Sequence, residues 1–186
     1  MGVRCFVAVE VDDQGVLDAL GRVQAGLVGS GGDLKPVEQE NIHLTLKFLG
    51  DVDDGLLDEV KRVVGSLSFE PFRMALAETG AFPNLRRPKV LWAGVSEGVD
   101  ELSAIFGELE AGFVGLGFKR EGRRFSPHIT IARVRSERNQ NWLMEEVLRQ
   151  RDTDFGSFEV GSVKLKRSVL TPRGPVYSTL VESGRS

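Results

Sequence analysis

Hydrophobic side chains along this chain follow two different periods, and these periods predict the order of strands and helices. Stretches in which apolar and polar residues alternate, or in which about seven β-forming residues follow one another, are typical of β-strands. Eight such stretches are present. The predicted strands are Val3 to Val9, Asn41 to Leu49, Phe69 to Glu78, Lys89 to Val95, His128 to Val134, Phe155 to Val160, Ser162 to Leu170 and Pro175 to Val181.

Four other stretches repeat their apolar residues every three or four positions, which predicts helices with one buried face. The first begins at Asp12-Asp13 and ends near Val28, and the second opens at Asp51 to Asp54. The third runs from Val99 to Leu116 and the fourth from Asn141 to Gln150. Loops are predicted at Gly80 to Lys89 and Gly117 to Pro127, with a turn at Thr171-Pro172-Arg173-Gly174. The order of strands and helices in the first half recurs in the second. The pattern therefore predicts a single α+β domain, residues 1–186, with two lobes that arose by duplication.

The two histidines of the chain, His43 and His128, lie about half its length apart in the same His-aliphatic-Thr-aliphatic frame. Composition alone would give this coincidence on the order of once in a million. Because strand side chains alternate between faces, His43 and Thr45 should share one face while Leu44 and Leu46 enter the core. The same alternation pairs His128 with Thr130. Two such strands facing each other would form a pocket with two imidazoles and two hydroxyls.

This set of groups suits displacement at phosphorus. One proton must leave the attacking oxygen and another must reach the departing oxygen, and imidazole titrates near neutral pH. The hydroxyls could bind the non-bridging oxygens, so neither a metal nor any other cofactor is required. The alternation places no carboxylate on the histidine face of either strand, and the HExxH pattern of zinc enzymes is absent from the sequence.

The composition limits which ligands the protein could bind and in which cellular compartment it is expected. The net charge of −3 excludes an overall basic field, so a polyanionic ligand would need local clusters of Arg and Lys. Such clusters occur in the loops at Arg86 to Lys89 and Lys119 to Arg124. The single cysteine, Cys5, excludes an internal disulfide and suits a reducing compartment. With neither a secretion signal nor a membrane span in the sequence pattern, the expected location is cytoplasmic.

The paired motifs "HLTLKFLGDV" and "FSPHITIAR" resemble those of the 2H phosphoesterase superfamily. The match is closest to its RNA 2′,3′-cyclic phosphodiesterases, historically called 2′-5′ RNA ligases. "RCFVAVE", "GAFPNLRRPKVLWAGV" and "LKRSVLTPRGPVYSTL" are similar to other segments of that family. The resemblance covers nearly the whole chain. It implies a bilobal α+β fold, with two pseudo-twofold-related antiparallel sheets lining a central cleft and helices outside.

The resemblance also implies a function and residue roles. The enzyme would hydrolyse RNA or nucleotide 2′,3′-cyclic phosphate ends to 2′-phosphomonoesters without metal. His43 would be the proton donor and His128 the proton acceptor, although the two imidazoles are equivalent in the sequence. Thr45, Thr130 and Arg133 would bind the phosphate.

Strict alternation creates a conflict at Arg133, because it places this residue opposite His128 unless the strand ends or bulges near Ala132 or the guanidinium reaches around the edge. The same alternation places Lys47 on the His43 face and Phe48 in the core.

Two other functions stay open from the sequence. The same site could run in reverse and join RNA ends by a 2′-5′ bond, although no nucleotide-activating G-x-x-x-x-G-K-[ST] run is present. Alternatively, the cleft could bind RNA ends without catalysis. The expected partner in each case is RNA or an oligonucleotide with a 2′,3′-cyclic phosphate end, bound by a monomer. The sequence does not distinguish which basic loop contacts that RNA.

Overall fold

Antiparallel strands dominate the computed structural model, which describes residues 2–172 and 174–183. Arg173 of the predicted turn lies outside the described residues. Nine strands and four α-helices occur within the described ranges. The strands are β1 (Gly2–Glu10), β2 (Leu34–Pro36), β3 (His43–Asp53), β4 (Phe72–Phe82), β5 (Val90–Glu97), β6 (His128–Val134), β7 (Asp154–Val160), β8 (Lys164–Thr171) and β9 (Gly174–Glu182). The helices are α1 (Gln14–Gly29), α2 (Leu57–Gly65), α3 (Val99–Gly115) and α4 (Gln140–Arg149).

The strands form two antiparallel halves that meet in the middle of the molecule. One half has the order β7-β4-β5-β6, the other β3-β1-β8-β9, and β2 pairs with β6. Strands β3 and β6 are joined through the single residue pair Leu44–Ile129, and both side chains are fully buried. The α+β class and the bilobal antiparallel architecture expected from the sequence are therefore confirmed. The first motif strand belongs to one half and the second to the other.

The helices pack on the sheet and leave the opposite face near β3 and β6 for the motif residues. Helix α1 begins at the N-cap Asp13, whose carboxylate accepts a hydrogen bond from the Val16 amide at 2.9 Å. Its apolar stripe packs against β7 and α4, while α3 packs against β3 and α2. In residues 2–172 and 174–183, no helix is long and apolar enough to cross a membrane.

Two predicted boundaries were wrong because pairing with a neighbouring strand overrides local signals. Strand β3 continues to Asp53, where the sequence predicted a helix start, because residues 50–53 pair with the first residues of β1. Strand β4 spans Phe72–Phe82, four residues beyond the predicted end, because it pairs with β5 up to Phe82–Val90. Gly80 makes this pairing feasible, since a Cβ there would lie 2.2 Å from the ring of Trp92. Strand β2, with only three residues, was not predicted.

Candidate active site

The junction of β3 and β6 brings the four motif side chains to one face of the sheet. Leu44 and Ile129 are opposite each other, so their side chains point the same way, into the core. The residues before and after each of them must point the other way. His43, Thr45, His128 and Thr130 therefore share a face, and all four are half-buried. This is the grouping that the alternation predicted.

Both imidazoles are held by the same kind of hydrogen bond. His43 Nδ1 lies 2.7 Å from the Asn41 carbonyl oxygen, and His128 Nδ1 lies 2.8 Å from the Ser126 carbonyl oxygen. Since a carbonyl can only accept, each Nδ1 carries a proton and donates it. Nε2 is left as the nitrogen that can gain or lose a proton. In His43 this nitrogen lies 3.0 Å from the Thr45 hydroxyl oxygen.

A β-bulge in β3 changes which residues reach this face. Thr45 is opposite Ala8 of β1 and Lys47 is opposite Val7, so Leu46 is an extra residue without a partner of its own. Leu46 and Lys47 are consequently both buried, and Phe48 returns to the histidine face, where 69% of its surface is exposed. The predictions that Lys47 shares the His43 face and that Phe48 lies in the core were therefore wrong.

An equivalent bulge in β6 removes the conflict at Arg133. Thr130 is opposite Trp92 of β5 and Ala132 is opposite Leu91, which leaves Ile131 as the extra residue. Ile131 and Ala132 are both buried, and Arg133 is exposed on the histidine face. The Gln24 side chain of α1 stabilises the bulge, since its amide donates to the Ile131 carbonyl at 2.8 Å. Of the three alternatives that the sequence left for Arg133 (a strand end, a bulge, or a side chain that reaches around the edge), the structure shows a bulge.

Charged groups from both halves act on His43. Burial lowers the pKa of His43, the Asn41 carbonyl opposes this shift, and the positive charges of Lys166 and Arg133 add to it. The carboxylate of Glu10, opposite His43 on β1, raises the same pKa and accepts hydrogen bonds from Lys164 and Lys166. Because Arg133 belongs to the other half, charges from both halves of the molecule act on the first imidazole.

Aromatic rings enclose the histidines, and two of them, Phe6 and Tyr177, were not singled out from the sequence. The Phe6 ring centroid lies 4.9 Å from that of His43, and the Tyr177 ring meets His43 edge-on at 5.5 Å. Phe82 meets His128 edge-on at 4.9 Å. Burial raises the pKa of the Tyr177 hydroxyl, so it stays protonated as a hydrogen-bond donor at neutral pH. These rings come from β1, β4 and β9, which only the sheet order brings to the motif strands.

The space next to the histidines limits where a substrate can bind. A cavity of about 10 Å³, lined by Glu10, His43, Lys166 and Tyr177 among others, lies beside the first imidazole. It can hold a water molecule at most, so it is too small for a phosphate. Within the described part of the chain, no group of three or more His, Cys, Asp and Glu residues could hold a metal ion.

Paired His-x-Thr strands from two antiparallel halves are the feature that this chain shares with two-histidine phosphoesterases, and comparison with known sequences assigns the family. The profile of the LigT like Phosphoesterase family matches residues 10–92 and again residues 94–177. The chain belongs to this family. The resemblance noted in the sequence and the expectation of a phosphodiesterase are thereby confirmed.

Individual relatives are similar over most of their length. The chain is 40% identical over 182 residues to an RNA 2′,3′-cyclic phosphodiesterase of Methanothermobacter thermautotrophicus, covering 97% of both proteins. It is 40% identical over 163 residues to one of Aeropyrum pernix, covering 88% of this chain and 93% of that protein. The crystal structure of TT0787 of Thermus thermophilus superposes with a TM-score of 0.81 at 30% identity, covering 97% and 96% of the two chains. Apo E. coli LigT, at 22% identity, covers 100% and 98% with a TM-score of 0.79 and shares the fold.

Proposed function

We propose that this protein hydrolyses the 2′,3′-cyclic phosphate end of RNA to a 2′-phosphomonoester, with the two histidines as acid and base and without a metal ion. The observation that carries the proposal is the duplicated imidazole geometry at the β3–β6 junction. Each ring is held through Nδ1 by a carbonyl two residues earlier and is left with Nε2 for proton transfer. Two relatives named RNA 2′,3′-cyclic phosphodiesterase, each 40% identical, suggest the substrate class.

The reaction is an in-line displacement at phosphorus. His128 takes a proton from a water molecule while the oxygen of that water attacks the phosphorus, and the bond between phosphorus and the 3′-oxygen breaks. His43 gives a proton to that 3′-oxygen, which leaves as a hydroxyl, and the phosphate stays on the 2′-oxygen. Thr45, Thr130 and Arg133 bind the non-bridging oxygens, where negative charge accumulates in the transition state.

The lowered pKa of His43 affects these roles. In the free protein, burial favours the neutral ring, whereas a proton donor must be charged. A phosphate anion bound between the strands raises the pKa of the nearby imidazole, so binding of the substrate charges His43 before it acts. His128 carries the opposite requirement, since it must be neutral to accept a proton.

The exposed Phe48 ring supplies a surface for the terminal nucleobase. It lies on the histidine face, three residues after Thr45, and its ring centroid is 6.1 Å from that of Phe6. Stacking on a flat apolar ring tolerates every base and suits an enzyme that acts on RNA ends of differing sequence. A monomeric state, a cytoplasmic location and the duplication of one α+β unit remain predictions.

Product analysis on an RNA that ends in a 2′,3′-cyclic phosphate tests the proposal directly. We expect a 2′-phosphomonoester, formed equally well after treatment with EDTA. A 3′-phosphate product would contradict the assigned leaving group, and activity that requires added zinc or magnesium would contradict the metal-free mechanism. Formation of a 2′-5′ joined product from two RNA ends would indicate ligation, and binding without any product would indicate a non-catalytic RNA-end binder.

A further inference from the structure

A loop that lies directly before His128 carries four basic side chains, all of them exposed. We call residues 119–124 the basic loop; its cations are Lys119, Arg120, Arg123 and Arg124. None of the four forms an ion pair with another residue in the described ranges 2–172 and 174–183. An exposed loop with only solvated charges would ordinarily be mobile, yet this one is fixed to the protein interior.

The fixing element is a buried ion pair below the loop. Lys47 Nζ lies 2.5 Å from Glu110 Oε2, and both residues are less than a tenth exposed. Lys47 also donates to the Lys119 carbonyl at 3.2 Å, and the other oxygen of Glu110 accepts the Glu121 amide at 2.5 Å. Taking two charges out of water is costly, and here the compensating hydrogen bonds go to the loop backbone.

Two further interactions complete the attachment. The Glu121 side chain accepts the Arg123 amide at 3.1 Å, and the Phe125 ring stacks on Phe106 of α3 with centroids 4.5 Å apart. The backbone is therefore held at several points while the cationic ends remain free to meet a ligand. Preorganised cations lose less conformational entropy when they bind, which makes them efficient partners for an anion.

The position of the loop indicates which part of an RNA it would meet. Lys47, which contacts the loop, is the residue directly before Phe48, so the basic loop lies near the proposed base-stacking ring along β3, although Lys47 and Phe48 point to opposite faces of that strand. Because the cyclic phosphate forms the 3′ end of the RNA, all other phosphates of the strand lie on the 5′ side of the terminal nucleotide, and the nearest of them are the ones that cations close to Phe48 could meet. The segment Arg86 to Lys89 instead connects β4 to β5 at Val90, whose partner is Arg133 at the opposite end of β6.

We propose that the basic loop binds backbone phosphates of the RNA upstream of its cyclic end, and so makes the enzyme prefer polynucleotides over mononucleotides. This inference rests on the proposed function for the position of the terminal nucleotide. Its ligand is the phosphodiester backbone of a single strand, which is recognised by charge and not by sequence.

The test compares two double variants that remove the same charge. Arg123→Gln/Arg124→Gln removes two of the four positive charges of the basic loop, and Arg86→Gln/Arg87→Gln removes two of the three positive charges of the other basic segment. For each protein, kcat/KM is measured on uridine 2′,3′-cyclic phosphate and on a ten-nucleotide RNA with a cyclic end, at several salt concentrations. We expect the basic-loop variant to lower the ratio of RNA to mononucleotide kcat/KM about tenfold. Its salt dependence on RNA should weaken by roughly 0.7 in log–log slope for each phosphate that the loop no longer neutralises.

A binding measurement separates this inference from the proposed function. Fluorescence anisotropy with a labelled RNA that already ends in a 2′-phosphate requires no turnover, and the basic-loop variant should bind it about tenfold more weakly. A wild-type enzyme that binds this RNA but hydrolyses no cyclic phosphate would overturn the proposed function alone. The inference would be overturned if the Arg86/Arg87 variant showed the larger loss, or if the basic-loop variant left both the ratio and the salt slope as in wild type.

Discussion

Strands β3 and β6 each present a histidine, a threonine and a third side chain to the same face, but the third side chain is Phe48 in β3 and Arg133 in β6. In both strands the bulge lies between the threonine and this third residue. The backbone geometry is thus the same in the two halves. Under the proposed function, the different third residues would assign the nucleoside to the half that contains β3 and the phosphate charge to the half that contains β6.

The buried residue just after each bulge also differs. It is Lys47 in β3 and Ala132 in β6. Ala132 fills space in an apolar core, whereas Lys47 forms a buried ion pair that holds the basic loop. The halves that contain β3 and β6 therefore share a backbone geometry but differ in side-chain chemistry at three places. These are the third residue on the histidine face, the buried residue after the bulge, and the charged groups around the imidazole. Each difference can be tested by substitutions that change one half and leave the other intact.

Removal of either imidazole should have the largest effect on activity. We expect His43→Ala and His128→Ala each to lower kcat on a cyclic-phosphate substrate by roughly 10²- to 10⁴-fold, as general acid–base catalysis predicts. An analogue with sulfur in place of the 3′-oxygen distinguishes the two roles, because a thiolate leaves without being protonated. His43→Ala should regain most of its activity on this analogue and His128→Ala should not. Recovery in His128→Ala alone would reverse the roles.

Removal of Lys47 should have the largest effect on stability. Lys47→Met leaves the Glu110 carboxylate buried without its partner, which should lower the free energy of unfolding by about 3–5 kcal/mol. The double variant Lys47→Met/Glu110→Met should recover much of this loss, because no unpaired charge remains. Lys61→Met, which breaks an exposed pair with Asp58, is the matched control and should change stability by less than about 1 kcal/mol.

Urea unfolding measures these changes, provided that the slope of free energy against urea concentration stays constant. A single variant as stable as wild type would show that the Lys47–Glu110 pair is not needed for the fold. If the double variant were as unstable as the single one, the lost free energy of unfolding would come from the hydrogen bonds with the basic loop and not from the unpaired charge.

Arg133 should contribute more to the transition state than to substrate binding. Arg133→Ala is expected to lower kcat/KM by roughly 10²- to 10³-fold, the range found when one donor to a developing oxyanion is removed. Arg133→Lys should restore part of this loss, since an ammonium supplies charge without the two parallel hydrogen bonds of a guanidinium. A loss that appeared only in KM would instead indicate simple attraction of the anionic substrate.

The sequence predicted the parts of this site that depend on local periodicity. The common face of His43, Thr45, His128 and Thr130 follows from the two-residue period of a strand. That period failed at Leu46 and Ile131, because bulges depend on the strands alongside, and so Phe48 and Lys47 were placed on the wrong faces. Two consecutive buried apolar residues, Ile131 and Ala132, are the only local sign of such a bulge. Tyr177 could not be predicted at all, since only the β1–β8–β9 order brings it to His43.

Phe48 should have a moderate effect that depends on the nucleobase. Loss of stacking in Phe48→Ala is expected to cost roughly 1–3 kcal/mol in kcat/KM on nucleotide substrates, and Phe48→Tyr should keep most of the wild-type activity. A ribose 2′,3′-cyclic phosphate without a base is the control substrate, on which Phe48→Ala and wild type should be similar. An equal loss on both substrates would show that Phe48 shapes the strand and does not stack on a base.

The smallest expected effects are shifts in pH dependence, and they test whether His43 is one of the two groups that titrate during catalysis. Because burial and the charges of Lys166 and Arg133 lower the pKa of His43, the free enzyme should lose this proton below the ordinary histidine value of about 6.5. The profile of kcat/KM reports the free enzyme, so one of its two limbs should lie below that value.

Single charge changes should move this limb in opposite directions. Lys166→Met removes a positive charge near His43, which should raise its pKa and move the limb to higher pH. Glu10→Gln removes a negative charge, which should lower the pKa and move the limb to lower pH. If neither substitution moved a limb, the group that titrates there would not be His43, and the half of the molecule that contains β3 would not supply one of the two proton-transfer groups.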